Sequence, residues 1–305
     1  MKKKTKLTIR LLAAGAILTA GGLLLMHHAY GMMGRDISQL DLGKFSDRTY
    51  TAEGEFSSID IETSVTDVTL LRSEDGSFRI ESHEEENITH ELRVEGGKLT
   101  VTTQDDRQWY EHIGISFGSN AMTVYLPAGS YKSVQVTTRT ADISVPADLD
   151  IWDITVSSDT GDISLGASEY ASVSARTDTG RVTLNGITVR GSVTLTTDTG
   201  KHELSSVRAE SISLTSYTGS LTLRDTVASD ELRLISSTGS MSLEACDSAS
   251  IYARTATGNV TGSLLSGKDF NAKSSTGKVD VPADSDGGSC RIITDTGNIS
   301  ITVLE

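Results

Sequence analysis

A Thr-Gly pair recurs at an almost constant interval from about Lys132 to the C-terminus of the 305-residue chain. Successive glycines of these pairs are 19 or 20 residues apart, and a further copy with Ala141 in the Gly place precedes them. The pairs are Thr160 and Gly161, Thr179 and Gly180, Thr199 and Gly200, Thr218 and Gly219, Thr238 and Gly239, Thr257 and Gly258, Thr276 and Gly277, and Thr296 and Gly297. A fixed interval of this length indicates a fold in which each copy stacks on its neighbours.

Apolar residues recur at four places in each copy: the seventh and fifth before the Gly place, and the second and fourth after it. In the nine copies 34 of these 36 places are apolar, against 37% hydrophobic residues in the whole chain. The places between them are mainly polar, so each copy reads as two short strands with one inward and one outward face. Stacking makes Leu195, Leu214 and Leu234 vertical neighbours in a shared core. The pattern predicts an all-β, single-stranded β-solenoid of about nine to ten rungs of 19–20 residues.

A looser third column, seven places after the Gly, suggests a third wall formed by Ile187, Val207, Cys246 and Leu265.

The N-terminal segment predicts a membrane anchor. Residues 1–10 carry five positive charges, and residues 11–30 form an apolar stretch that, as a helix, can cross a hydrocarbon core of ~30 Å. The lysines place residues 1–10 in the cytoplasm and the bulk of the chain outside, in a single-pass protein of the cell membrane. A cleaved signal peptide is the alternative, because the apolar run is short and small residues follow it.

Three further segments follow. Residues 31–51 read as a juxtamembrane linker, residues 52–131 as an N-terminal β cap, and residues 132–305 as the solenoid repeats. The cap contains a degenerate first rung, SSIDIETSVTDVTLL, with Thr66 in the Gly place. Its irregular remainder suits a cap, because the end of a solenoid exposes unpaired strand edges. The chain stops inside its last copy, which predicts self-association through an uncapped C-terminal rung.

The Asp-Thr-Gly triplets resemble those of aspartic proteases, but the pattern favours a structural role. Asp precedes Thr in four of nine copies, whereas Thr stands in all nine. A corner needs these two residues: Gly accepts a positive φ, and stacked Thr hydroxyls can satisfy turn backbone groups. Asp159, Asp178 and Asp198 share an outward column, which makes them weak candidates for a Ca²⁺ site. The alternative is that each Asp caps its own turn.

Other candidate sites are few, and no cofactor is expected. His202 lies in an inner column, where a neutral, hydrogen-bonded side chain is expected. Cys246 and Cys290 lie too far apart for a disulfide and are expected as buried thiols. Trp109 and Tyr110 lie in an aperiodic loop. They are predicted either to contact a ligand or to form an apolar lid over the first rung.

Charge and surface pattern exclude two classes of ligand. The formal net charge of −14 makes nucleic acid an unlikely partner. The outward places six and four before the Gly mix Arg, Lys, Tyr, Ile, Asn and Thr, so they lack the regular Thr array of an ice-binding surface.

Four kinds of motif extend over residues 52–305. They are the repeated units T-G-x-[ILV]-[ST]-[LV] and the segments SSIDIETSVTDVTLL, LRVEGGKLTV and MTVYLP. In these motifs the chain resembles the bacterial "putative adhesin" family of unknown function, with its β-strand repeats, and especially its membrane-anchored Firmicutes members. The resemblance implies a surface-located β-solenoid, and some relatives are similar to anchored proteins of cell-envelope stress operons. It implies no catalytic residues.

We therefore expect a membrane-anchored, extracytoplasmic and non-enzymatic module for adhesion or cell-envelope interaction, with a wall polymer or an envelope protein as partner. Two alternatives stay open. A polysaccharide-active surface enzyme would need opposed carboxylates or a similar charged set in a cleft. A membrane sensor or regulator subunit would use its basic tail to contact a cytoplasmic or in-membrane partner.

Overall fold

The computed structural model describes residues 45–106, 119–147, 149–283 and 287–304, which all belong to one compact unit. These residues form strands and connecting turns, and no helix that could cross a membrane lies among them. The predicted tail 1–10, the predicted membrane helix 11–30 and most of the linker 31–51 lie outside the described residues.

The strands, numbered in chain order, are β1 (Phe45–Tyr50), β2 (Ser58–Glu62), β3 (Thr66–Arg72), β4 (Arg79–Glu85), β5 (Ile88–Glu95), β6 (Lys98–Asp105), β7 (Asn120–Leu126), β8 (Ser130–Thr138), β9 (Ile143–Ala147), β10 (Asp150–Thr160), β11 (Ile163–Ala167), β12 (Glu169–Tyr170), β13 (Ser172–Thr179), β14 (Val182–Asn185), β15 (Thr188–Val189), β16 (Ser192–Thr199), β17 (His202–Ser205), β18 (Arg208–Thr218), β19 (Leu221–Arg224), β20 (Val227–Thr238), β21 (Met241–Thr257), β22 (Val260–Leu264), β23 (Lys268–Ser274), β24 (Val279–Asp280), β25 (Gly288–Thr296) and β26 (Ile299–Val303). In each repeat one strand leads into the Thr-Gly corner and a second strand follows it. We call the sheets that these two sets build the leading sheet and the trailing sheet.

Copies of the repeat pair in parallel and in the predicted register. In the leading sheet Leu195 pairs with Leu214, and Leu214 pairs with Leu234, and all three side chains are fully buried. In the trailing sheet His202 lies between Val182 and Leu221. The prediction of an all-β solenoid with a shared core is confirmed.

A third wall closes the core, as predicted, but one of its proposed members lies outside it. Ile187, Val207 and Cys246 are fully buried, whereas Leu265 is 47% exposed. Leu265 comes directly before the outermost, least regular part of the solenoid, where no complete neighbouring rung covers it.

The corner glycines are required by a close approach between backbones. A Cβ built on Gly219 would lie 1.6 Å from the carbonyl oxygen of Gly200, and one on Gly180 would lie 2.1 Å from that of Gly161. Among these glycines φ is positive only at Gly258 (156°) and Gly297 (151°). The expectation that a positive φ selects glycine at the corner is therefore wrong at most copies, because the steric demand comes from the preceding rung.

Hydroxyl groups do satisfy the corner backbone, but from a different position than predicted. The Thr side chains of the Thr-Gly pairs are exposed. Three places before the Gly, every copy carries an inward-facing Ser or Thr: Thr138, Ser158, Thr177, Thr197, Ser216, Ser236, Thr255, Ser274 and Thr294. Thr177 Oγ1 donates to the carbonyl of Gly161 at 3.0 Å, and Thr255 Oγ1 donates to that of Gly239 at 3.0 Å. A buried carbonyl without a hydrogen-bond partner would destabilise the folded protein, so the inward-facing hydroxyl is part of the corner structure.

At the C-terminal end the copies do not stack in chain order. Strand β25 pairs with β21 on one side and β23 on the other, and β26 lies between β22 and β24. The last copy is thus inserted between its two predecessors, and β23 and β24 form the outermost rung. The inserted copy buries Cys290, Ile292, Ile299 and Ile301, whereas Val279 of the outermost rung is 43% exposed. The more apolar copy takes the inner position.

This insertion corrects two expectations. The chain does not end in the outermost rung, and the regular winding amounts to about eight turns, fewer than the nine to ten predicted. Self-association through the C-terminal end of the solenoid stays a prediction, and it now concerns the rung of β23 and β24.

The N-terminal end has the same arrangement. Strand β2, from the degenerate rung, pairs with both β6 and β8, and β3 pairs with both β7 and β9. The rung of β6 and β7 therefore lies outside it. Antiparallel strands then continue both sheets, with β5 on β6, β4 on β7 and β1 on β4.

Candidate binding surface

Two outward columns of the leading sheet carry no acidic side chain over nine copies of the repeat, whereas the outward columns on either side of them carry acids such as Asp153 and Asp159. The outward places six and four before the corner read, in spatial order, Gln135 and Thr137, Thr155 and Ser157, Ser174 and Arg176, Thr194 and Thr196, Ser213 and Thr215, Arg233 and Ile235, Tyr252 and Arg254, Arg291 and Ile293, Asn271 and Lys273. We call these two columns the leading face. In a chain with a net charge of −14, a face with basic but no acidic side chains is a marked departure from the average surface. Acidic residues enter these columns at the degenerate rung, with Asp60 and Glu62.

Basic residues gather at the C-terminal end of the leading face. Arg233, Arg254, Arg291 and Lys273 lie on four successive rungs and alternate between the two columns. At about 4.8 Å per rung these rungs extend over about 14 Å. We call these four residues, with Tyr252 between them, the basic patch.

The four cations of the basic patch have no acidic partner. No carboxylate of the described residues lies within 4.0 Å of them. Several other arginines in the described part of the chain are paired: Arg224 lies 2.9 Å from Glu244, and Arg176 lies 2.5 Å from Asp178. The positive charge of the patch is therefore available for a ligand.

One arginine of the patch is held in place by an aromatic ring. The guanidinium carbon of Arg233 lies 4.7 Å from the centre of the Tyr252 ring, within the range of a cation–π contact. This contact orients the N–H donors of the Arg233 guanidinium in the absence of a ligand.

A shallow groove of about 340 Å³ runs along the edge of the patch. Its floor includes the hydroxyls of Ser250 and Ser289, which lie 3.0 Å apart, and Asn271 contributes its amide. The carboxylates of Glu231 and Asp269 lie on the rim that faces away from the second column. The groove thus combines neutral hydrogen-bonding groups with two cations of the patch, Arg233 and Arg291, and has the two carboxylates on one rim.

The aspartates predicted as weak metal ligands directly precede the Thr of the Thr-Gly corner, in the outward column next to the leading face. Arg176 lies between two of them, 2.5 Å from Asp178 and 3.8 Å from Asp198, and supplies counter-charge. Asp159, one rung earlier, is exposed. Among the described residues no three His, Cys, Asp or Glu side chains are arranged to hold a metal ion.

Other carboxylates at the corner cap the backbone of the next rung. Oδ1 of Asp67 accepts the backbone N–H of Asp142, Oδ1 of Asp142 accepts that of Asp162, and Oδ1 of Asp162 accepts that of Arg181, at 2.7–2.9 Å. These acids have a structural role at the first place after the Gly.

A buried charged network lies in the N-terminal cap. The Glu84 carboxylate is fully buried; Tyr50 and Ser82 donate to its Oε1 at 2.9 and 3.0 Å, and Arg48 lies 3.3 Å away. Its Oε2 lies 2.6 Å from Nε2 of His90. Burial alone would raise the pKa of Glu84, but His90, Tyr50 and Ser82 together hold it below the usual value. The network joins β1, β4 and β5, and it could not be predicted from the repeat pattern because the cap is aperiodic.

A larger groove, of about 960 Å³, lies between the turn after β3 and Tyr125. Its polar groups satisfy each other. The Asp75 carboxylate accepts hydrogen bonds from Ser73 and Ser77, and the guanidinium of Arg79 lies 3.9 Å over the Tyr125 ring. The groove is also lined by Arg72 and Glu74.

The buried titratable groups of the repeats follow the predictions. His202 is fully buried with Nε2 3.0 Å from Thr197 Oγ1, and burial lowers its pKa to about 4. Cys246 and Cys290 are free and buried, and burial raises their pKa values to about 11 and about 12. Burial is confirmed at all three positions. Trp109 and Tyr110 lie outside the described residues.

Comparisons with known proteins agree with this architecture. The family model described as Toastrack DUF4097 matches residues 56–302. No curated protein matches the chain. These findings concern the repeat region and assign no residue a role.

Several solved structures resemble the chain. A "putative adhesin" from Bacteroides fragilis is 16% identical and covers 86% of this chain and 97% of its own, with a TM-score of 0.41. A "putative adhesin" from Parabacteroides distasonis is 13% identical, with coverage of 86% and 98% and a TM-score of 0.40. A "putative cell adhesion protein" from Clostridium sporogenes is 11% identical, with coverage of 86% and 100% and a TM-score of 0.34. These names belong to those proteins, and no residue of this chain acquires a role from them.

Proposed function

We propose a function for this chain from the premise that it belongs to the Toastrack DUF4097 family, a family whose domain has no known function. The chain is a non-enzymatic adhesion or envelope-interaction module that binds a component of the cell envelope through the leading face. Residues 11–30 anchor it in the membrane as a single-pass protein, residues 1–10 remain in the cytoplasm, and the solenoid lies outside the cell. The anchor and the location rest on the charge and hydropathy of the N-terminal segment.

The absence of acids from the leading face of the described repeats carries this proposal. The trailing sheet offers the comparison, because its outward columns contain Glu203 and Glu244, which are paired with Arg181 and Arg224. A solvent-exposed surface that binds no partner would be expected to carry both acidic and basic side chains, on the leading sheet as on the trailing sheet. The two columns of the leading face instead present hydroxyls and cations, and apart from Arg176, which pairs with Asp178, these cations have no carboxylate of the described residues within 4.0 Å. Such a surface is suited to binding a partner.

The arrangement of carboxylates supports a non-enzymatic role. Glycoside hydrolases hold two carboxyl groups on opposite sides of the scissile bond, at separations of about 5–9.5 Å. Asp159, Asp178 and Asp198 lie directly before the corner on three successive rungs, side by side, so they do not face each other across a substrate.

Binding of the full-length protein in detergent to isolated envelope fractions tests the proposal. Glutamates at Ser174 and Thr194 place negative charge on the leading face, and glutamates at Ser164 and Thr222 place the same charge on the trailing sheet; all four side chains are exposed. We expect the first pair to lower affinity for the bound fraction at least tenfold and the second pair to leave it unchanged. Equal effects of the two pairs, or binding to no fraction, would contradict the proposal.

A further inference from the structure

We infer that the basic patch binds an anionic polysaccharide, a sugar polymer that carries carboxylate or phosphate groups. This inference rests on the proposed function and names the ligand class and the residues that hold it. The anionic groups would lie on Arg233, Arg254, Arg291 and Lys273, and the sugar rings would lie across the groove beside Tyr252.

The cations define the charge of the ligand. Three of the four are arginines, whose planar fork pairs with carboxylate and phosphate through two parallel hydrogen bonds. They are unpaired within the described part of the chain, so a ligand anion would displace water and not an existing carboxylate partner. A ligand without negative charge would leave them without a role.

The shape of the surface defines the ligand as extended. The patch is open, and its cations alternate between two columns over about 14 Å along the solenoid, at about 4.8 Å per rung. A small anion would contact one or two of them. A linear polymer lying along the solenoid axis would contact all four.

The neutral groups around the cations define the ligand as a sugar polymer. The hydroxyls of Ser250 and Ser289 line the groove with Asn271, and these groups can both donate and accept hydrogen bonds, as sugar hydroxyls require. Ile235 and Ile293 are half-buried on the outward face and offer apolar area to the C–H faces of sugar rings.

The exchange of rungs at the C-terminal end assembles the patch. Because β25 is inserted between β21 and β23, Arg291 pairs with Tyr252 on one side and Asn271 on the other. Stacking in chain order would put Asn271 beside Tyr252 and Arg291 on the outermost rung. The inserted order keeps Arg233, Arg254 and Arg291 on consecutive rungs.

The test compares two double variants of the full-length protein in detergent, by biolayer interferometry at low salt. Arg254→Gln with Arg291→Gln removes two cations from the patch. Arg139→Gln with Arg208→Gln removes two exposed, unpaired arginines elsewhere and is the matched control. The immobilised probes are polygalacturonate for carboxylate, poly(glycerol phosphate) for phosphate, and dextran for uncharged sugar; phosphatidylglycerol vesicles are a fourth probe.

We expect one or both charged polymers to bind, dextran not to bind, and the patch variant to bind at least tenfold more weakly while the control variant binds as the wild type does. The charged polymer that binds more tightly shows whether the anionic group of the ligand is a carboxylate or a phosphate. Equal losses in both variants, or binding to vesicles alone, would overturn the inference. If an envelope fraction binds through the leading face but neither charged polymer does, only the ligand class is wrong; if no fraction binds, the proposed function fails with it.

Discussion

Replacing Gly219 with alanine tests whether the close contact of corner backbones holds successive rungs together. The added Cβ would lie 1.6 Å from the carbonyl oxygen of Gly200, and real Cβ contacts are almost never shorter than 3.0 Å, so the two rungs must separate locally by about 1.4 Å. Three hydrogen bonds join these rungs at the corner: Gly200 N to Thr218 O (2.9 Å), His202 N to Ser220 O (3.1 Å) and Ser216 Oγ to Gly200 O (3.1 Å).

At about 1 kcal/mol net for each hydrogen bond, their loss would cost about 3 kcal/mol. Gly→Ala also restricts the unfolded chain, which returns about 0.4–1 kcal/mol. We therefore expect Gly219→Ala to lower the free energy of unfolding by about 2–3 kcal/mol.

Urea unfolding followed by far-UV circular dichroism measures this change as a lower midpoint at an unchanged slope. Gly129→Ala is the matched control, because no atom lies within 4 Å of its added Cβ and its φ is not positive. The control should unfold at the wild-type midpoint or slightly above it. A wild-type midpoint for Gly219→Ala would refute the steric account of the corner.

Three further predictions concern buried polar groups of the repeats. Thr177→Val removes the hydroxyl that donates to the Gly161 carbonyl and should cost about 1–2 kcal/mol in urea unfolding, whereas Thr179→Val, at an exposed position, should change stability by less than about 0.5 kcal/mol. His202 has a pKa of about 4 when folded and about 6.5 when unfolded, so the unfolded chain binds more protons between these pH values. The free energy of unfolding, measured by urea titration, should therefore fall by up to about 3 kcal/mol as the pH falls from 6.5 to 4, and His202→Leu should abolish this part of the pH dependence. Cys246 and Cys290, with pKa values raised to about 11 and about 12, should react with a thiol reagent at pH 8 in urea but not in buffer; rapid labelling of the native protein would contradict their burial.

The interior of the solenoid could be predicted because stacking acts on every copy alike. A side chain such as Leu214 must fit against Leu195 on one side and Leu234 on the other, so the same apolar class returns at each interval. The hydroxyl at three places before the Gly obeys the same rule, and its recurrence as Ser or Thr in all nine copies was visible in the sequence. The Thr of the Thr-Gly pair recurs as strictly although its side chain is exposed, so recurrence alone does not distinguish the hydroxyl that bonds to the corner.

The order of the rungs at the two ends could not be predicted from the period. Equal intervals allow a copy to stack on either neighbour, and the choice depends on how much apolar surface each copy buries. Because β25 is inserted beside β21, Ile251 pairs with Cys290 and not with Phe270. Such a choice is a balance of tertiary packing, which a one-dimensional pattern does not contain.

Some places in each copy are constrained by stacking and others are not, and this difference explains why the outward columns carry the information about function. Inward places and corners are fixed by contact with the adjacent rungs, so their residues report the fold. Outward places at six and four before the Gly have no such constraint, and Ser or Thr fills eight of these ten places in the first five copies of the leading face. When those places change to Arg233, Tyr252 and Arg254 on two consecutive rungs, folding does not require the change. A requirement from outside the chain is the remaining physical reason, and it is the reason for seeking the ligand at the basic patch.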